Sequence, residues 1–161
     1  MLSRPDNGWT VFQPGSENTA CRLSYLTDVA VEWLDRAIRG LETLDVFSVH
    51  GFCEPGRMVC TVSFWNCYII LEGDGRDDNC ESVYTVHISM IDFCRKLHDD
   101  IAGSLEAWVH WDDDSIEAPD DSEEAFDRAT SERRNAIRER LDRLGDLISR
   151  VSEDFEDGCF I

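Results

Sequence analysis

Four histidines, His50, His87, His98 and His110, and seven cysteines are the side chains in this chain best suited to hold a metal or to move protons. A zinc site takes its ligands from Cys and His at short, repeated spacings. Here the cysteines stand at 21, 53, 60, 67, 80, 94 and 159, with no C-x-x-C pair and no histidine at zinc-finger distance. An enzyme site assembled from His87, His98, Asp99 and His110 would require the fold to bring three separate segments together. The segment from Asp74 to Glu81 offers carboxylate and amide oxygens of the kind calcium prefers. An EF-hand opening at Asp74, however, would need an oxygen ligand where Arg76 stands and a glycine where Asn79 stands.

Reaction motifs are absent as well. The chain has no G-x-S-x-G elbow, no phosphate-binding or dinucleotide glycine loop and no H-E-x-x-H pair. Ser104 and Thr61 have no identifiable partner base. Carboxylates are so numerous that two lying close together would say nothing about glycosidase chemistry. The residue types point to no catalytic residue, no metal and no cofactor.

Charge is the stronger signal. Thirty-four Asp and Glu face fifteen Lys and Arg, a formal net charge of −19, and Lys96 is the single lysine. Such a field repels nucleic acids and anionic membranes and attracts basic proteins. Outside residues 122–161, 23 acids face 8 bases, so the field comes chiefly from the body of the protein. Two stretches concentrate it: Asp74, Asp77 and Asp78, and then Asp112, Asp113, Asp114, Glu117, Asp120 and Asp121. Salt adaptation is the competing explanation, although seven cysteines and five tryptophans fit it less well.

The elements that must carry these residues follow from periodicity. At 161 residues the chain is long enough for one domain burying roughly 70% of its unfolded surface. Residues 1–17, with Pro5, Gly8, Pro14 and Gly15, read as irregular, with at most an edge strand over Trp9 to Phe12. From Asn18, apolar residues at Leu23, Leu26, Ala30, Leu34, Ile38 and Leu41 predict a helix to about Leu44, or to Gly40. A strand over Asp45 to Phe52 leads through Glu54-Pro55-Gly56 into the most apolar stretch, Arg57 to Glu72.

That stretch is too long for one strand and resolves into a hairpin. With Trp65-Asn66 as a two-residue turn, Phe64 pairs with Cys67, Val62 with Ile69 and Cys60 with Leu71, which makes one face wholly apolar. Cys60 and Cys67 are then small core residues. A fourth strand is predicted over Ser82 to Met90. A helix follows from Ile91, capped by Asp92 and carrying Phe93, Leu97, Ile101, Leu105 and Trp108 inward. Residues 112–121 form an acidic loop, and 122–155 an amphipathic helix with the stripe Ile137, Leu141, Leu144, Ile148, Val151 and Phe155. Its arginines interleave with Glu132, Glu139, Asp142 and Asp146 as a solvated, salt-bridged surface.

The fold class is therefore α+β: a four-stranded antiparallel meander preceded by one helix and followed by two, in a single domain. The expected function is non-enzymatic binding of a basic protein partner, in the manner of an immunity protein or inhibitor acting on a nuclease toxin. Trp65, at the hairpin tip, and Trp111, at the mouth of the acidic loop, join the acids of both segments as partner-binding residues. A nucleic-acid mimic acting on a restriction or interference complex is the alternative, followed by a salt-adapted domain or an enzyme without a familiar motif. The opening residues have no signal-peptide character, and no apolar run reaches membrane-spanning length. Cys159 stands one position too late for a prenylation box. The expected location is the cytoplasm.

Overall fold

The computed structural model describes residues 1–15, 19–73, 81–111 and 123–156. In chain order they form β1 (Trp9–Phe12), β2 (Cys21–Ser24), α1 (Val29–Thr43), β3 (Phe47–Phe52), β4 (Arg57–Val62), β5 (Cys67–Glu72), β6 (Glu81–Val86), α2 (Met90–Ala102), α3 (Leu105–Val109) and α4 (Glu123–Glu156). The four strands β3-β4-β5-β6 pair in sequence order as an antiparallel meander, with helices before and after, which is the expected α+β architecture. One face of the sheet is buried through Phe47, Val49, Met58, Cys60, Val62, Cys67 and Ile69. The opposite face, carrying Ser48, His50, Tyr68 and Val83, is exposed.

The hairpin register differs from expectation by two residues. Val62 pairs with Cys67, Cys60 with Ile69 and Met58 with Leu71, so the turn is the four-residue loop Ser63 to Asn66. The Ser63 N–H and Oγ–H both donate to the Asn66 carbonyl, at 2.8 and 2.9 Å, closing the loop without the left-handed pair that a two-residue turn demands. Because the difference is even, the same side chains remain on the buried face. Phe64 alone leaves it.

The N-terminal region departs further. Cys21 to Ser24 is a strand, paired with Trp9–Phe12 in a two-stranded sheet, and the helix begins only at Val29. Leu23 has helical spacing to Ala30 by coincidence; it is buried from a strand, while Leu26 is exposed. Asp28 caps α1, its Oδ1 accepting from the Val31 N–H at 3.2 Å. The helix passes through Gly40 and stops at Leu44, which takes a left-handed conformation and returns its N–H to the Gly40 carbonyl.

Two further helix boundaries are corrected. Ser89, rather than Asp92, caps α2: its Oγ accepts from the Asp92 N–H at 3.0 Å and donates to the Asp92 carboxylate at 2.8 Å. The single helix expected through Trp108 breaks at Gly103-Ser104 into α2 and α3, although Ile101 and Trp108 are both buried. The stripe of α4 is as expected from Ile137 to Val151. Four of its seven arginines, however, reach across to other elements. Arg140 binds Asp35, Arg143 binds Glu42, and Arg134 makes two-pronged contact with Glu106.

Arg133 does most to lock the helices together. Its guanidinium donates to both oxygens of Asp28, at 2.6 and 3.0 Å, and to the Val109 carbonyl at 3.1 Å. One half-buried side chain thus joins the cap of α1, the end of α3 and the body of α4. Charge-assisted hydrogen bonds of this kind contribute about 1.5–3 kcal/mol. Arg133→Met is expected to lower unfolding free energy by about 2 kcal/mol in urea titration, while Arg150→Met, whose side chain is exposed, leaves the midpoint unchanged.

Gly40 gives a prediction whose sign opposes helix propensity. Alanine is favoured over glycine within a helix by about 1 kcal/mol. A Cβ at Gly40 would lie 2.2 Å from a ring carbon of Phe47, and that ring is held against Phe93 at 5.9 Å between centroids. Overpacking of this type costs about 1–3 kcal/mol. Gly40→Ala is therefore expected to lower the melting temperature, and the further change Phe47→Leu to recover part of the loss.

Candidate functional site

Among the described residues the histidines and carboxylates do not assemble into a metal centre. His50 lies on β3 with its Nε2 3.9 Å from Glu32, His98 on α2 pairs with Asp99, and His110 ends α3. Among the described residues no group of three or more His, Cys, Asp or Glu side chains is placed to hold a metal ion. Cys60 and Cys67 are fully buried, as their place on the hairpin face implies. The sulfur of Cys67 and burial together push the Cys60 thiol up, and burial pushes Cys94 up to about 12, so both stay protonated and unreactive.

The residues marked by sequence for partner binding divide sharply. Asp74, Asp77, Asp78, Asp112, Asp113, Asp114, Glu117, Asp120 and Asp121 lie outside the described residues. Trp111 is corrected: it is only 2% exposed, its ring 5.0 Å from that of Trp108, and so it serves the core rather than a contact surface. Trp65 stands out at 70% exposure, the most exposed of the large apolar side chains among the described residues.

Trp65 is presented from a fixed platform. The Phe64 carbonyl before it accepts from the Met90 N–H at 3.1 Å, tying the loop to the start of α2. On its other side, Asn66 Oδ1 accepts from His87 Nδ1–H at 2.6 Å. His87, considered above as a possible ligand, thus braces the loop. Beside the ring opens a cavity of about 150 Å³ walled by Leu41 and Leu44 of α1, Phe64, Met90 and Ile91 of α2, and Val151 of α4. A cavity of roughly that volume suffices for a benzene ring.

Sequence reasoning reached Trp65 but not the cavity, because its walls come from four segments that meet only in the fold. The Ser89-x-x-Asp92 spacing, rather than Asp92 by itself, is the signal that marks the start of α2, which supplies one wall. No protein-family model, no curated protein and no solved structure matches this chain. No helix among the described residues is long and apolar enough to cross a membrane.

The exposure pattern has a direct optical test. Trp33, Trp108 and Trp111 are buried, Trp9 is half-buried and Trp65 is 70% exposed. Trp65→Phe is expected to remove most of the fluorescence that acrylamide quenches readily while leaving the urea midpoint unchanged, whereas Trp108→Phe should leave the quenchable fraction intact.

Proposed function

We propose that this protein is a non-enzymatic, cytoplasmic binding protein that captures and neutralises a basic protein partner, in the manner of an immunity protein or inhibitor. The observation that carries this reading is Trp65: a braced, exposed indole beside an apolar cavity large enough for one aromatic or aliphatic side chain. Interface energy concentrates in such places, where a rigid aromatic and a pocket lie together inside a polar rim. The net charge of −19 supplies the long-range part, drawing a cationic partner in and orienting it before contact.

The nucleic-acid-mimic alternative has less support. It requires rows of carboxylates spaced like phosphates, and α4, the longest element, interrupts its acids with Arg133, Arg134, Arg138, Arg140 and Arg143.

The test is affinity capture from the source cell at low and moderate salt, with the eluted proteins identified and assayed for activity with and without this chain. The expected result is a basic protein whose activity is suppressed and whose capture weakens as salt rises. Trp65→Ala should weaken the same complex by about 2 kcal/mol, roughly thirty-fold in Kd. Capture that ignores ionic strength, or a partner unaffected by Trp65→Ala, overturns the reading.

A further inference from the structure

A second concavity lies elsewhere and is lined by more basic than acidic side chains. It is a groove of about 740 Å³ between the outer side of α1 and strand β3. β3 ends the sheet, with β4 on one side and, among the described residues, no strand hydrogen-bonded on the other. The Cys53 N–H donates to the Gly56 carbonyl, so odd-numbered residues of β3 turn their backbone groups toward β4 and even-numbered ones turn theirs outward. The His50 carbonyl fits this alternation, accepting from Trp33 Nε1–H at 2.8 Å at the outer edge. The Ser48 N–H and carbonyl and the His50 N–H face the same way and have no hydrogen-bond partner among the described residues.

Arg36 and Arg39, three residues apart on one side of α1, border this edge and are exposed. Neither forms an ion pair among the described residues, whereas Arg133, Arg134, Arg140 and Arg143 each hold a carboxylate. Asp45, just before β3, lines the groove, Glu32 lies 3.9 Å from His50, and Glu72 pairs with Arg57, a third arginine of the lining. Phe52, 40% exposed, and Val59 add apolar wall.

We propose that this groove binds an extended acidic segment of a partner protein, which adds to the β3 edge through its backbone and places carboxylates on Arg36 and Arg39. Unpaired edge amides and carbonyls call for another peptide backbone. Unpaired guanidiniums call for carboxylates on that peptide, and Phe52 and Val59 for apolar residues between them. A nucleic acid has no peptide N–H and C=O groups to pair with the strand edge. A second copy of the chain is a poor occupant, because its own β3 would bring Ser48 and His50, not acids, to the arginines. The site is separate from Trp65, so the two proposals stand or fall apart.

The probe is a fluorescein-labelled octapeptide alternating glutamate and valine, titrated against the full chain by fluorescence anisotropy. Saturable binding is expected, lowered about tenfold or more by the double change Arg36→Glu and Arg39→Glu and by less in the Gln pair. Circular dichroism should show both variants folded. Methylation of alternate peptide amides should abolish binding, and Trp65→Ala should not change it. No saturation by about 1 mM peptide overturns the proposal, as does equal affinity for a glutamine–valine peptide, for the methylated peptide or for the Arg36/Arg39 variants.

Discussion

Four aromatic rings, each from a different element, meet at one junction, and the positions of the other elements follow from how they meet. Phe12 of β1 packs edge-on against Trp33 of α1, with centroids 5.1 Å apart and planes at 87°. Phe93 of α2 closes on both Phe12 and Phe47 of β3, at 6.3 and 5.9 Å. Edge-to-face contact suits the ring quadrupoles and fixes orientation as well as distance. The indole N–H of Trp33 donates to the His50 carbonyl at the sheet edge, which spares it the cost of burial without a partner. That bond draws α1 alongside β3, and Gly40, lacking a side chain, lets it lie against Phe47. The groove, the closure of the N-terminal hairpin on the core and the platform for α4 all descend from this placement.

Basic residues are disposed by the same economy of position. Arginines on α4 are turned inward across helix boundaries to Asp28, Asp35, Glu42 and Glu106. Four of the fifteen basic side chains thus tie α4 to its neighbouring helices. Arg134 beside it holds the Glu106 carboxyl below the usual glutamate range, so this contact is complete above ordinary glutamate pKa values and fades only as pH falls through the lowered one. Both partners are exposed, and the effect on stability is correspondingly small.

Much of this was legible in the sequence, for physical reasons. The meander and α4 carry long, regular patterns, and Trp65 is exposed because no residue pattern provided a cover for it. What was not legible depended on choices that local pattern leaves open. A four-residue strand such as Cys21–Ser24 offers too few alternations to outweigh Leu23 and Leu26 at helical spacing, and its identity comes from pairing with Trp9–Phe12. Trp111 adjoins an acidic run, yet its environment is set by Trp108. The cavity beside Trp65 and the groove beside β3 each join segments remote in the chain, so no window of sequence contains either.

The loop from Ser63 to Asn66 has a consequence for how this molecule could diverge. Side-chain direction along a strand alternates, so the sheet distinguishes an even change in hairpin length from an odd one. Adding or removing two residues at the tip would return every buried side chain of β4 and β5 to the core. A change of one would have to be taken up within the loop, because a one-residue slip of the pairing would turn a whole strand inside out. The apex that carries Trp65 is therefore free to vary in steps of two while the core stays the same, and recognition can be retuned there without renegotiating the fold.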